Sequence, residues 1–213
     1  LLPECERLDD SGTLTYLHGS ISTKRHEVAA PETPIFLDVL LADCGLTGGL
    51  EPMLGEDHLR IVSVLGFPPA SEPGFLDPLN RLGFAYRWTT RFIALDKAAA
   101  TREITKYRRQ WFAKRKSIAA IIKETLFNEE SVLLDADADN KAADADAALQ
   151  ELGADDVAFG YLTCAVIVSD GDASLADDKA KEIERVLNGR GFVAIRESVN
   201  AVDAFLGSLP GHL

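Results

Sequence analysis

Arg102, Lys106, Arg108, Arg109, Lys114, Arg115 and Lys116 crowd one short stretch of the chain, interleaved with Tyr107, Trp111 and Phe112. Cations at this density can neutralise phosphates or carboxylates, and aromatic rings set among them can stack on the bases of a single-stranded nucleic acid. A second charge set follows directly: Glu129, Glu130, Asp135, Asp137, Asp139, Asp144, Asp146 and Glu151. An acidic segment so close in sequence offers the cations a partner within the chain itself. The simpler reading therefore pairs the two sets and assigns the aromatic rings to an apolar stripe. Exposed ion pairs contribute about 0–1 kcal/mol each, so these charges would govern pairing and register more than stability.

Other chemistry finds less support. No GxxxxGK[ST] occurs, and the glycines at Gly48-Gly49 and Gly189–Gly191 lack the lysine and helix start that aim amides at a phosphate. Asp135, Asp137 and Asp139 alternate like the start of a calcium loop, but Asn140 stands where such a loop needs glycine and Asp146 where it needs glutamate. His18, His26, His58 and His212 show no HxxxH or HExxH spacing. Ser198 and Ser208 lack a GxSxG context, and Cys164 lies in an apolar run where a thiol is a small core filler. No catalytic, cofactor-binding or metal site is expected, and the basic residues are the candidate interaction surface.

The cations need a helix to carry them. Asp96 can cap it, three alanines open it, and Ile104, Tyr107, Trp111, Ile118, Ile121 and Thr125 recur at helical spacing to about Asn128. About 30 residues make a helix of about 45 Å, longer than a domain of this size is wide. It must project or be flanked, and the acidic, alanine-rich run from Glu130 to Leu152 supplies a second helix ended by Gly153. A helical hairpin results.

The flanks of this insertion repeat one pattern. Before it, His58–Phe67 reads as a strand buried on both faces, Phe75–Leu82 as a helix, and Ala85–Leu95 as a core strand with one wet face. After it come a strand over Val157–Ser169, a helix over Leu175–Leu187 capped by Ser174 with Asp177 and Asp178 in its first turn, and a strand over Phe192–Glu197. The fold class is α+β: a ferredoxin-like sheet built from two strand-helix-strand units with the hairpin inserted between them. Upstream, residues 1–10 read as the end of a helix, Ser11 caps another through Thr23, and Phe36–Ala42 makes a third; a last helix covers Ser198–Leu206. This divides the chain into an N-terminal helical segment (1–50), the first half of the sheet domain (51–96), the hairpin (97–156) and the second half (157–213).

Across 213 residues, 46% are hydrophobic, enough for a core, while a net charge of −12 disfavours binding of nucleic acid by the surface as a whole. Three cysteines, Cys5, Cys44 and Cys164, are odd in number and widely spaced, which argues against a disulfide framework and for a reducing compartment. The longest apolar run, Leu162–Val168, is too short to cross a bilayer. The first residues are Leu1-Leu2 and the last are Pro210-Gly211-His212-Leu213, ends that read as those of a piece of a longer protein.

Four blocks occur in an order that resembles a known family: Tyr86-Arg87-Trp88-Thr89-Thr90-Arg91-Phe92-Ile93, Gln110-Trp111-Phe112-Ala113-Lys114-Arg115-Lys116, the run from Asp137 to Asp146, and Gly207-Ser208-Leu209-Pro210-Gly211. From about Leu14 onward the chain is similar to conjugal-transfer ATPases of the TrbE/CagE/VirB type, the energising subunits of type IV secretion systems. The resemblance implies a bacterial cytoplasmic ATPase, peripheral on the inner membrane, that works with other secretion components, self-associates, and supports pilus assembly and DNA or protein export. It implies that ATP and Mg²⁺ bind in a domain C-terminal to residue 213, and that this region is a non-catalytic docking and assembly domain. The alternative is a single-stranded nucleic-acid-binding module using the basic helix 102–116.

Overall fold

A computed structural model describes residues 7–68, 70–110 and 136–212, the side chains of 136–140 and 142 excepted. The chain forms two compact units, Leu1–Arg91 with Thr163–Leu213, and Phe92–Leu162. The class is mixed helix and sheet, with six strands in one sheet among the described residues. The structure has β1 (Leu46–Thr47), β2 (Met53–Leu54), β3 (Asp57–Gly66), β4 (Arg87–Ala94), β5 (Gly160–Asp170) and β6 (Val193–Arg196). Its helices are α1 (Asp10–Ile21), α2 (Leu37–Leu41), α3 (97–110), α4 (Ala136–Gly153), α5 (Ala173–Asn188) and α6 (Ala201–Gly207). No described helix is long and apolar enough to cross a membrane.

In the first unit β3 is the hub. It pairs antiparallel with β5 from His58↔Asp170 to Val64↔Cys164, and its other edge takes β2 at the start and β6 from Val62↔Arg196 to Gly66↔Val193. From Leu59 to Val64 the apolar run of β3 is buried on both sides, as its sequence predicts, whereas Leu65 is 63% exposed. Val62 and Val64 face Val166, Val168, Ala180, Ile183 and Leu187 on one side, while Leu59 and Ile61 face Ile167, Ala201 and Phe205 on the other. Helix α5 thus covers one face and α6 the opposite one. Ala176, Ala180, Ile183 and Leu187 recur at helical spacing and are wholly buried, the apolar stripe that seats α5 on the sheet.

Several expected features are placed differently. Helix α1 is capped by Asp9, whose Oδ1 accepts from Gly12 N at 2.7 Å, and not by Ser11. The Ser11 hydroxyl accepts instead from Ala30 N, and Thr15 Oγ1 accepts from Val28 N, so the segment after α1 runs back along the helix. Residues 7–9 are not helical, and the rest of the expected 1–10 helix lies outside the described residues. The expected helix over 75–82 is a 3₁₀ turn at Asp77–Arg81, where Pro78 removes a backbone donor and Gly74, at φ +83°, sets the entry. Helix α5 is capped by Asp172, which accepts from Ser174 N and Leu175 N; the residue expected to cap lends only its amide. With the start moved forward, Asp177 and Asp178 fall beyond the first turn. Strand β4 holds the outer edge beyond β5, and none of its residues is buried, so the expected core strand is an edge strand that reaches the core through the half-buried Trp88. The two-residue strands β1 and β2 extend the sheet beyond the four strands expected.

The second unit holds α3, α4 and the adjoining strand ends. Leu95 N donates to Phe159 O at 2.9 Å, continuing the β4–β5 ladder. Asp96 Oδ1 accepts from Ala99 N at 2.7 Å, the cap read from sequence, and Ala100 is fully buried.

Candidate interaction surface on the basic helix

The sequence candidates separate by helical phase. Arg102, Lys106 and Arg109 are exposed and share one side of α3, lining a shallow cleft with Thr101, Thr105 and Gln110. Ala100, Glu103, Ile104 and Tyr107 line a different cleft of about 560 Å³ with Lys141, Asp144, Ala145 and Ala148 of α4 and with Phe159, Gly160 and Tyr161. Arg108 is turned to this second side, where its Nε lies 2.8 Å from Asp146 Oδ1. At the other end of the same pair of helices, Lys97 Nζ meets Asp155 Oδ1 at 2.6 Å and Gly153 O at 3.1 Å. Two contacts so spaced set the described parts of α3 and α4 antiparallel. Lys106 lies 4.0 Å from Glu103 one turn back, and Arg102 and Arg109 enter no ion pair among the described residues. Lys114, Arg115, Lys116, Trp111 and Phe112 lie outside the described residues.

The acidic and basic sets therefore meet at Arg108–Asp146, but a cationic strip of Arg102, Lys106 and Arg109 stays turned to solvent. Tyr107, half-exposed, belongs to the apolar cleft with α4 and not to that strip.

The first unit offers a wider cleft of about 940 Å³, with Tyr16, Arg25, Asp57, Arg87, Trp88, Lys179 and Phe205 in its lining. Arg87 is committed to structure there. Its Nη1 donates to Ser20 O at 2.7 Å, its Nη2 to Ser208 Oγ at 2.9 Å, and its guanidinium lies 5.6 Å from the Phe205 ring centre. Burial lowers its pKa from the ordinary arginine value. Lys179 is committed too, to Asp170 Oδ2 at 2.7 Å and Ser169 O at 3.0 Å.

One cluster has no signal in the sequence. His18 of α1, His26 after it and Asp43 after α2 converge, although eight and seventeen positions separate them and no short motif links them. Hydrogen bonding from the Ser22 hydroxyl, with His18 and Lys24 beside it, holds the Asp43 carboxyl well below the ordinary carboxylate range. The Ser22 hydroxyl also lowers the pKa of the Cys44 thiol, 3.2 Å away.

Sequence comparison assigns the chain to a family. Residues 112–213 match the CagE, TrbE, VirB family, component of type IV transporter system. A protein of Sinorhizobium fredii (strain NBRC 101917 / NGR234), named as the second portion of a probable conjugal transfer protein TrbE, is 33% identical over 199 residues, which cover 93% of this chain and 29% of that relative. A conjugal transfer protein TrbE of Rhizobium radiobacter is 32% identical over 196 residues, covering 92% of this chain and 23% of the relative. The chain thus spans less than a third of the length of these relatives. With a family match through its second half and TrbE relatives along nearly all of it, the chain belongs to the CagE/TrbE/VirB family of type IV transporter components.

Proposed function

We propose that this chain is a non-catalytic docking and assembly domain in the N-terminal region of a conjugal-transfer ATPase, and that α3 and α4 form its docking arm. The observation that carries the reading is the exposed strip of Arg102, Lys106 and Arg109 on a chain of net charge −12. A local cationic surface on an acidic protein selects an acidic partner and steers its approach. In this reading Lys114, Arg115 and Lys116, which lie outside the described residues, also belong to the interaction surface, within a helical hairpin spanning 97–156. The partners are other type IV secretion components, or further copies of the full-length protein, at the cytoplasmic face of a bacterial inner membrane. ATP and Mg²⁺ are bound by the longer protein beyond residue 213, consistent with the lack of a phosphate loop in this sequence.

The sheet order β6-β3-β5-β4, with α5 joining β5 to β6, supports a ferredoxin-like domain whose first helix has shrunk to a 3₁₀ turn. The division into 1–50, 51–96, 97–156 and 157–213 follows from that reading. It makes the hairpin an insertion, in sequence, between the two halves of the sheet domain.

The test uses the full-length protein carrying R102E, K106E and R109E. Reversal should reduce co-purification with the other secretion components and lower conjugal transfer, with unchanged protein level. Transfer at the normal frequency would overturn the docking role. If instead co-purification holds while a salt-dependent gel shift with single-stranded DNA is lost, the strip serves nucleic acid, the second reading that these exposed arginines permit. The 213-residue chain alone should not turn over ATP.

A further inference from the structure

We propose that His18, His26 and Asp43 form a binding site for a divalent transition-metal ion, Zn²⁺ being the natural probe, which clips together three separate segments of the first unit. One ligand atom from each residue lies within 4.8 Å of the others. The imidazoles of His18 and His26 lean together with ring centres 4.3 Å apart. His18 Nε2 is 3.2 Å from Asp43 Oδ2, close enough for an ion pair but without the alignment of a good hydrogen bond. His18 is only 1% exposed. A buried ring nitrogen without a good hydrogen bond is costly, and a metal ion would satisfy it together with the carboxylate beside it.

The donor set indicates the class of ion. Two imidazoles and one carboxylate suit zinc and its neighbours in the first transition row, whereas magnesium and calcium take oxygen donors. Bonds of about 2.0–2.2 Å to nitrogen and oxygen require these atoms to draw in toward one centre, leaving a fourth tetrahedral position for water. Two of the three groups can move to make that closure. His26 and Asp43 are both exposed and outside helices, whereas His18 is fixed on α1.

A cation already stands at this carboxylate. Lys24 Nζ lies 3.3 Å from Asp43 Oδ2 and 3.0 Å from the Asp43 carbonyl oxygen. Its side chain is more than half exposed and can swing into water when a dication takes the carboxylate. Lys24 is therefore a competitor to the metal and not part of the site. Metal binding would hold the end of α1, the segment that returns along it and the turn after α2, a clip made through three side chains distant in sequence.

The experiment titrates the 213-residue chain with Zn²⁺ by calorimetry and with Co²⁺ by visible absorption. Expected are one equivalent bound, a melting temperature raised by several degrees, and Co²⁺ bands of four-coordinate intensity. H26A, at an exposed position, should weaken binding at least about tenfold while leaving the metal-free melting temperature nearly unchanged, and D43N should weaken it as much, read against its own metal-free melting temperature because the Asp43 carboxylate also meets Lys24. K24M, which removes the competing ammonium, should tighten it. Absence of saturable uptake, uptake unchanged in H26A or D43N, or weaker uptake in K24M would overturn the proposal.

Discussion

Arg60 of β3 donates from Nε to Asp177 Oδ1 of α5 at 2.5 Å, joining the hub strand to the helix that covers it. The arginine is the buried partner, its side chain 11% exposed against 42% for the aspartate. Its Nη1 is also bound, to Leu59 O at 2.9 Å, so the guanidinium is held in one orientation. Replacing the carboxylate by an amide keeps an acceptor but removes the negative charge, leaving Glu51, 3.7 Å from Arg60 Nη2, as the remaining anionic neighbour. D177N should cost about 1–2 kcal/mol, a figure already reduced for the aspartate's exposure to solvent, as read by urea unfolding at pH 7.

The same pair sets an acid limb. Arg60 lowers the Asp177 pKa through their hydrogen bond, and Lys179 lowers that of Asp170 in the same way. A carboxyl whose folded pKa lies below its unfolded value contributes stability that is present above the unfolded value, near about 3.9, and lost as pH falls through the folded one. Stability should therefore be flat from neutral pH down to about 5 and decline below it. In D177N the decline should be shallower, and an equally steep fall in wild type and variant would refute the assignment.

The cap of α5 separates two residues that sequence patterns do not distinguish. Asp172 Oδ1 accepts from both Ser174 N and Leu175 N, and Asp172 backbone is extended at φ −106° as a cap requires. D172A should lower stability by about 1 kcal/mol, and S174A should change it by less than about 0.5 kcal/mol. The reverse ranking in thermal melts would return the cap to the serine.

That confusion shows where sequence reading ends. A cap needs only a short polar side chain near a helix start, and Asp170, Asp172 and Ser174 all qualify, so backbone conformation decides among them. The apolar run of β3 and the spacing of Ala176, Ala180, Ile183 and Leu187 were legible because burial itself imposes the period. The edge position of β4 was not. Alternation reports that one side packs, but it does not report how many strands lie alongside. On the basic helix, charge and apolar spacing revealed a cationic surface next to a packed stripe. They could not tell that Arg108 sits with the packed side, because a long side chain reaches around the helix toward Asp146. The meeting of His18, His26 and Asp43 depends on how α1, its return segment and α2 pack, and no local pattern encodes that.

Among the described glycines, Gly160 leaves the least room for a side chain. A Cβ there would stand 2.5 Å from the Ile93 carbonyl oxygen and 2.5 Å from the Phe92 ring, and a backbone carbonyl cannot swing aside as a side chain can. G160A should force β4 and β5 apart where Leu95 N donates to Phe159 O. The expected cost is about 1–3 kcal/mol. The distinguishing readout is amide exchange: protection of the Leu95 amide should fall, while that of Ile61 and Val62 in the centre of β3 should hold. Uniform loss across both units would mean that the substitution acts on global stability and not on this crossing.

Charge holds α3 beside α4 only weakly, and its contribution is measurable. Arg108 and Asp146 are 39% and 44% exposed, so solvent screens their attraction even at 2.8 Å. A double-mutant cycle with R108A and D146A should give a coupling of about 0.2–1 kcal/mol at low salt, falling toward zero near 1 M. R102A and R109A, on the exposed strip, should each change stability by less than about 0.5 kcal/mol. If the strip is a docking surface, those two substitutions should weaken assembly without touching the fold, while loss of Arg108 should do the opposite. Finding the larger fold effect at Arg102 or Arg109 would place them in the seam with α4 and remove the basis for a free cationic face.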